Sequence, residues 1–176
     1  MNELEIQKIV ESLVQAKTTA RHGAPTRTCS DITLAMAKEL IAAVEQRAAQ
    51  MGVRAVIAVA NRGANPVAVH CMDDSYIASF DVAFQKAYTC AALKMPTTAL
   101  KELCQPGGEL YGIQHTNQGR IVIFGGGIPI LTEDGTCIGG LGVSGGTEAE
   151  DTALAEFART VVQDILTSND IYHEIL

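Results

Sequence analysis

Between Arg120 and Gly146 the chain reads Arg-Ile-Val-Ile-Phe-Gly-Gly-Gly-Ile-Pro-Ile, a turn at Glu133-Asp134-Gly135, then Thr-Cys-Ile-Gly-Gly-Leu-Gly-Val-Ser-Gly-Gly. Two apolar runs joined by a turn predict a β-hairpin. Its glycines, at 125–127, 139–140, 142 and 145–146, constrain it further. Glycine weakens a strand unless φ must be positive or something must come close to the backbone. Strands this rich in it bulge, pack against another chain, or hold a flat ligand. The expectation taken forward is bare main chain beside which something broad and planar can lie. The alternative is a twisted hairpin with glycine bulges.

The 176 residues suit one domain with a sizeable core, and 47 % hydrophobic against 19 % charged residues excludes disorder. A net charge of −7 leaves no basic stripe to displace the counterions of a nucleic acid. The longest apolar stretch, Val53 to Ala60, is too short to span a bilayer and carries Arg54. The segment Met1-Asn-Glu-Leu-Glu lacks the basic-then-apolar layout of an export signal, so the expected location is cytoplasmic. Five cysteines, without a CxxC spacing, read as reduced and mostly buried.

Apolar spacing predicts an amphipathic helix over 3–19 and a polar loop over 18–28 that contains His22. A second helix, capped by Ser30 or Asp31 and striped by Met36, Leu40, Val44, Ala48 and Met51, ends at Gly52. Val53–Ala60 and Val67–Met72 predict an antiparallel hairpin about the turn 61–66. Asp73-Asp74-Ser75 is expected to cap a helix running to about Leu93, with Ile77, Phe80, Phe84 and Tyr88 on one side. A short helix over 98–104, strands near 120–124, 128–131 and 136–143, and a last helix opened by a Thr147/Glu150 capping box complete the order. Short strand-to-strand turns point to an antiparallel sheet of about five strands with helices on its faces, an α+β fold. The expected organisation is a helix and loop over 1–30, one domain over 31–170, and a tail over 171–176.

Two well-known patterns in the hairpin fail on context. Gly140-Leu-Gly-Val-Ser-Gly145 matches a dinucleotide fingerprint, but no second strand follows the helix that begins near 147. Gly142-Val-Ser144-Gly-Gly146 matches a nucleophile elbow. Its candidate partners Asp151 and Asp164 lie on the very next helix, and His173 lies near the end of the sequence. Ser144 reads better as a turn residue whose hydroxyl helps cap that helix. An enzyme would draw on Ser144, Lys86, Asp73 or Asp151, but spacing assigns no base–nucleophile pair, which argues against catalysis. Histidines 22, 70, 115 and 173 are dispersed, so no multi-ligand metal site is expected. One imidazole is enough to ligate a haem or corrinoid, and His22, then His115, are the candidates. Lys86, in the middle of an apolar helix, either snorkels outward or pairs with an anion such as a ligand carboxylate.

Several of these segments, in order, resemble the GlcG/HbpS/PduO C-terminal family. They are Ile32-Thr-Leu34, Met51-Gly-Val53, Met72-Asp73, Lys86-Ala-Tyr-Thr89, Met95-Pro-Thr97, Gly125-Gly-Gly-Ile-Pro129, and Asp134-Gly135 with Ile138 to Gly146 and Glu150-Asp151. Gln105 to Gly112 leans toward the PduO C-terminal branch. The resemblance implies a profilin-like fold, assembly into a dimer or larger homo-oligomer such as an octamer, and binding of haem, less often cobalamin. It implies an accessory role in a cobalamin-dependent diol or glycerol pathway; the rival readings are a scaffold and a small enzyme acting on a diol-derived metabolite. The expected ligand-binding set is His22, His115, Lys86, Gly125, Gly126, Gly127, Pro129, Gly142, Ser144 and Gly145, with His22 on the metal. The family's usual Val-Asp-x-x-Gly is here Ala60-Asn61-Arg-Gly63, and the helix over 3–19 has no counterpart in the core pattern.

Overall fold

The computed structural model describes the backbone of residues 30–173 and the side chains of residues 30–167. The expected helix over 3–19 and His22 lie outside the described residues. The elements are α1 (Leu34–Met51), β1 (Val56–Asn61), β2 (Pro66–Cys71), α2 (Ser79–Leu93), α3 (Thr97–Leu103), β3 (Gly127–Leu131), β4 (Cys137–Ser144) and α4 (Glu148–His173). Two 3-10 turns, Ile113–His115 and Asn117–Gly119, fall between α3 and β3.

The sheet runs β2-β1-β4-β3 with every pair antiparallel. It is an α+β fold with four strands, not about five. Residues 120–124, expected as a strand, form none. Their backbone is engaged elsewhere: Val122 N–H donates to Thr89 Oγ1 on α2 at 3.0 Å. The segment is a strap across that helix. The β3 edge it would have extended is already closed. Gly127 N–H donates to Thr97 Oγ1 at 3.0 Å, Pro129 has no N–H, and Gln163 donates to the Leu131 carbonyl at 3.4 Å.

Register divides the side chains between two faces. Ile57 and Val59 of β1, Leu141 and Val143 of β4, and Ile128 and Ile130 of β3 share one face. They pack with Leu40, Ile41 and Val44 of α1 and Leu154, Ala158, Val162 and Ile165 of α4 in the main core. The opposite face carries Val56, Ala58 and Ala60 opposite Ser144, Gly142 and Gly140. Such small residues let α2 come close, and it meets them with Ala83 and Ala87.

Caps follow local chemistry with two departures. Thr33, not Ser30 or Asp31, caps α1, accepting from Met36 N–H at 3.2 Å. Asp31 instead accepts from Ile32 and Arg62 N–H, clipping the chain to the β1–β2 turn. Gly52, with φ of 74°, ends α1 by donating to the Ala48 and Ala49 carbonyls. Asp73-Asp74-Ser75 does not cap α2, which begins four residues later without a side-chain cap. Asp74 has φ of 60°, a left-handed conformation that cannot begin a right-handed helix. The Thr147/Glu150 capping box forms as expected: Thr147 N–H donates to Glu150 Oε2 at 2.8 Å and Glu150 N–H to Thr147 Oγ1 at 3.3 Å.

Candidate functional site

The glycine hairpin is not a bare surface. A Cβ on Gly142 would overlap the Ala83 carbonyl oxygen, and one on Gly140 that of Ala87. Both oxygens belong to α2, so the helix backbone fills the space read from sequence as room for a planar ligand. Gly126, with φ of 105°, turns beside Lys86 and Asp151, and Gly127 lies under Cys90 and Thr97. Gly125, Gly126, Gly127, Pro129, Gly142 and Ser144 are all buried, and Gly145 is half-buried against Arg54 and Ala55. The expectation of exposed main chain is therefore corrected: close approach is what the glycines provide, and a helix is what approaches.

Lys86 does not snorkel outward. Its side chain is fully buried, and Nζ donates to the Val143 carbonyl at 2.7 Å and to Asp151 Oδ2 at 2.9 Å. Asp151 Oδ1 accepts from Gly146 N–H at 2.9 Å, so the carboxylate ties the β4–α4 turn to α2. Burial pushes the Lys86 ammonium below its ordinary pKa, against the opposing pull of Asp151. Phe124 lies over the ammonium, its ring centroid 5.1 Å from Nζ, and is itself partly exposed. Beside this pair, Lys101 of α3 holds Glu148 at 2.8 and 2.9 Å, and Glu148 also accepts from Gly125 N–H.

Ser144 Oγ donates to Ser79 Oγ at 3.2 Å inside the α2–sheet interface, rather than capping α4 or meeting an imidazole. That arrangement gives no activated nucleophile. Asp73 is exposed on the turn before α2. Of the described imidazoles, His70 faces α1, 2.9 Å from Glu45, on the main-core side of the sheet. His115 is exposed on the α2 side, its Nε2 3.5 Å from Gln114 Nε2. Gln114 Oε1 is sealed from solvent without a hydrogen-bond partner among the described residues. No cluster of three or more His, Cys, Asp or Glu side chains suited to a metal occurs among the described residues. No described helix is long and apolar enough to cross a membrane.

Sequence reasoning places Ile77, Phe80, Phe84 and Tyr88 on one side of the α2 helix but does not mark that side as a binding surface. Phe80, Phe84 and Tyr88, four residues apart, form a stripe that is partly open to solvent, with Ile77 and Tyr76 exposed just before it. The guanidinium of Arg120, from the strap, sits 3.6 Å from the Tyr88 ring centroid and 5.9 Å from that of Phe84. Its Nε donates to Gln85 Oε1 at 3.3 Å, and no carboxylate pairs with it among the described residues. Asn117 Nδ2 donates to the Tyr88 hydroxyl at 3.1 Å, docking the turn that carries His115 onto the same helix. The i, i+4, i+8 aromatic spacing was visible in the sequence, but the arginine above it comes from a distant segment.

A four-stranded antiparallel sheet, with one helix packed on glycine and alanine and two on a branched aliphatic face, defines the architectural class. Residues 32–160 match the model of the haem-degrading protein HbpS-like family, and the chain belongs to that family. It is 46% identical over 127 residues to an uncharacterised 15.0 kDa protein of the dhaT–dhaS intergenic region of Citrobacter freundii, covering 72% of this chain and 89% of that protein. It is 35% identical to the corrinoid adenosyltransferase PduO of Citrobacter freundii over 87% of this chain, but spans only 44% of PduO. A solved structure described as a PduOC:heme complex superposes with a TM-score of 0.70 at 35% identity, covering 74% of this chain and 94% of that one.

Proposed function

We propose that this protein binds haem, with a corrinoid as the lesser alternative, as an accessory component of a cobalamin-dependent diol or glycerol pathway. The observation that carries this reading is the likeness to the PduOC:heme complex, at 35% identity across nearly the whole of that chain. The described residues suit such a ligand on the α2 flank, where exposed apolar side chains, an arginine without a carboxylate and an open imidazole lie on the same side of the sheet. A planar ring needs an apolar wall, its iron needs one imidazole, and its carboxylates need a cation. His22 and His115 are the candidate iron ligands. Bound haem would supply an iron centre; the chain's part is to hold and orient the ring. The protein is proposed to be cytoplasmic and homo-oligomeric. The kinship with PduO, of which this chain spans under half, supports the pathway and not the adenosyltransferase reaction.

Haemin titration of the purified protein, followed by its visible spectrum, tests the reading. Saturation at micromolar haemin, with the band shift of an imidazole-ligated iron, is expected. A linear, non-saturating response with both haemin and hydroxocobalamin would overturn it.

A further inference from the structure

We infer that the tetrapyrrole lies along the outer flank of α2 and that Arg120 binds its carboxylate edge. This rests on the haem reading and adds a place, an orientation and a residue to it.

Arg120 is the starting point. A guanidinium has five N–H donors, and this one uses Nε on the neutral Gln85 amide while its face rests on Tyr88. Arginine fits carboxylates by presenting paired N–H groups, and stacking on an aromatic ring holds the fork in place beforehand. No carboxylate occupies that fork among the described residues, although the protein is strongly acidic overall.

The apolar wall is next to it. Phe80 is 47% exposed and Ile77 97%, which is unusual for large apolar side chains at the start of a helix whose other side is fully buried. Together with Phe84 they form a strip leading away from the guanidinium. Charge sets the direction. Asp81 is exposed on the first turn of α2, and Asp73 and Asp74 stand on the turn before it. These repel carboxylates from the Ile77 end, while Arg120 attracts them at the Tyr88 end. A ring whose two carboxylates share one edge therefore lies with that edge at Arg120 and its apolar edge over Ile77 and Phe80. His115 belongs to the turn that Asn117 docks on Tyr88, near the arginine end.

The test compares haemin with its dimethyl ester, in which both carboxylates are masked. The proteins are the unaltered chain, Arg120→Ala, Arg120→Lys, Phe80→Ala and Arg47→Ala. Arg47 is the control, another arginine over an aromatic ring (Phe157, 5.9 Å), but on the α1–α4 side. Removing one charged hydrogen-bond donor costs about tenfold or more in affinity. Arg120→Ala should therefore weaken haemin by about that factor and leave the ester unchanged. Arg120→Lys should restore part of the preference for free haemin over the ester. Phe80→Ala should weaken both forms alike, and Arg47→Ala neither. If Arg120→Ala weakens both forms equally, Arg120 is only a clip holding the strap, and the inference fails. Saturable haemin binding that is indifferent to Arg120 and Phe80 also overturns it while leaving the haem reading intact. A failure of the unaltered chain to bind haemin removes that reading and this one together.

Discussion

Lys86 Nζ lies 2.9 Å from Asp151 Oδ2, joining the middle of α2 to the first turn of α4 past the end of β4. Both side chains are almost wholly removed from water. An ion pair this deep is not stabilising by default, because desolvating two charges opposes their attraction. Here each partner makes a further bond, the lysine to Val143 O and the aspartate from Gly146 N–H. The pair joins α2 to the β4–α4 turn beside an interface made of small side chains.

Breaking that pair from one side should be costly. Lys86→Met strands a buried carboxylate, and unfolding in urea should show a loss of about 3–5 kcal/mol. Asp151→Asn keeps an oxygen for Gly146 N–H but leaves a buried ammonium, with a loss of similar sign. The double variant should lose clearly less than the sum of the two. Strict additivity would show that the two side chains are not energetically coupled.

Glycines that look alike in sequence should differ sharply on substitution. Gly142→Ala places a methyl group on the Ala83 carbonyl of α2, which backbone cannot yield without separating helix from sheet. The loss should exceed the roughly 1–3 kcal/mol usual for overpacking. Gly135→Ala, at φ of 81° in the open β3–β4 turn, meets nothing within 4 Å. It should cost about 1–2 kcal/mol, the left-handed penalty alone. Thermal unfolding of the two variants side by side checks the contrast.

These contrasts show what could be read from residues alone. Features governed by near neighbours were legible: the hairpin about 61–66, the left-handed Gly52 and the Thr147–Glu150 box all have their partners within a few positions. The strap at 120–124 and the burial of Lys86 depend on partners 33 and 65 residues away. The glycines do mark close backbone approach, but the approaching body is a helix and not a ligand. A clue was present: Ala83, Ala87 and Ala91 recur every fourth residue, the mark of a helix face made to come near another backbone. The binding flank was harder to see, because Arg120 joins the aromatic stripe only through the fold.

Acid should weaken the fold through Glu148 and Glu150. The Lys101 ammonium and Gly125 N–H hold the Glu148 carboxyl below its ordinary value of 4.5, and Thr147 N–H lowers that of Glu150. Below pH 4.5 the unfolded chain therefore takes up protons before the folded one does. The stabilisation is complete above that pH and drains away as pH falls through the lower folded values. Unfolding midpoints measured downward from pH 6 should be flat at first, then decline. Glu148→Gln should lower the midpoint at pH 6 and make the decline shallower. An unchanged slope would mean that the Lys101–Glu148 pair contributes nothing to the acid limb.

The iron ligand can be separated from the rest of the binding surface by spectrum rather than by affinity. If His115 ligates, His115→Ala should abolish the imidazole-type bands while leaving the apolar wall and Arg120 to hold the ring more weakly. Added free imidazole should then restore the spectrum. His22→Ala should leave the bands unchanged in that case, and the roles reverse if His22 is the ligand. His70→Ala is the control, since that imidazole lies beyond the sheet, 2.9 Å from Glu45. Iron bands that survive in both single variants and in the His22→Ala/His115→Ala double variant would exclude both histidines as the ligand.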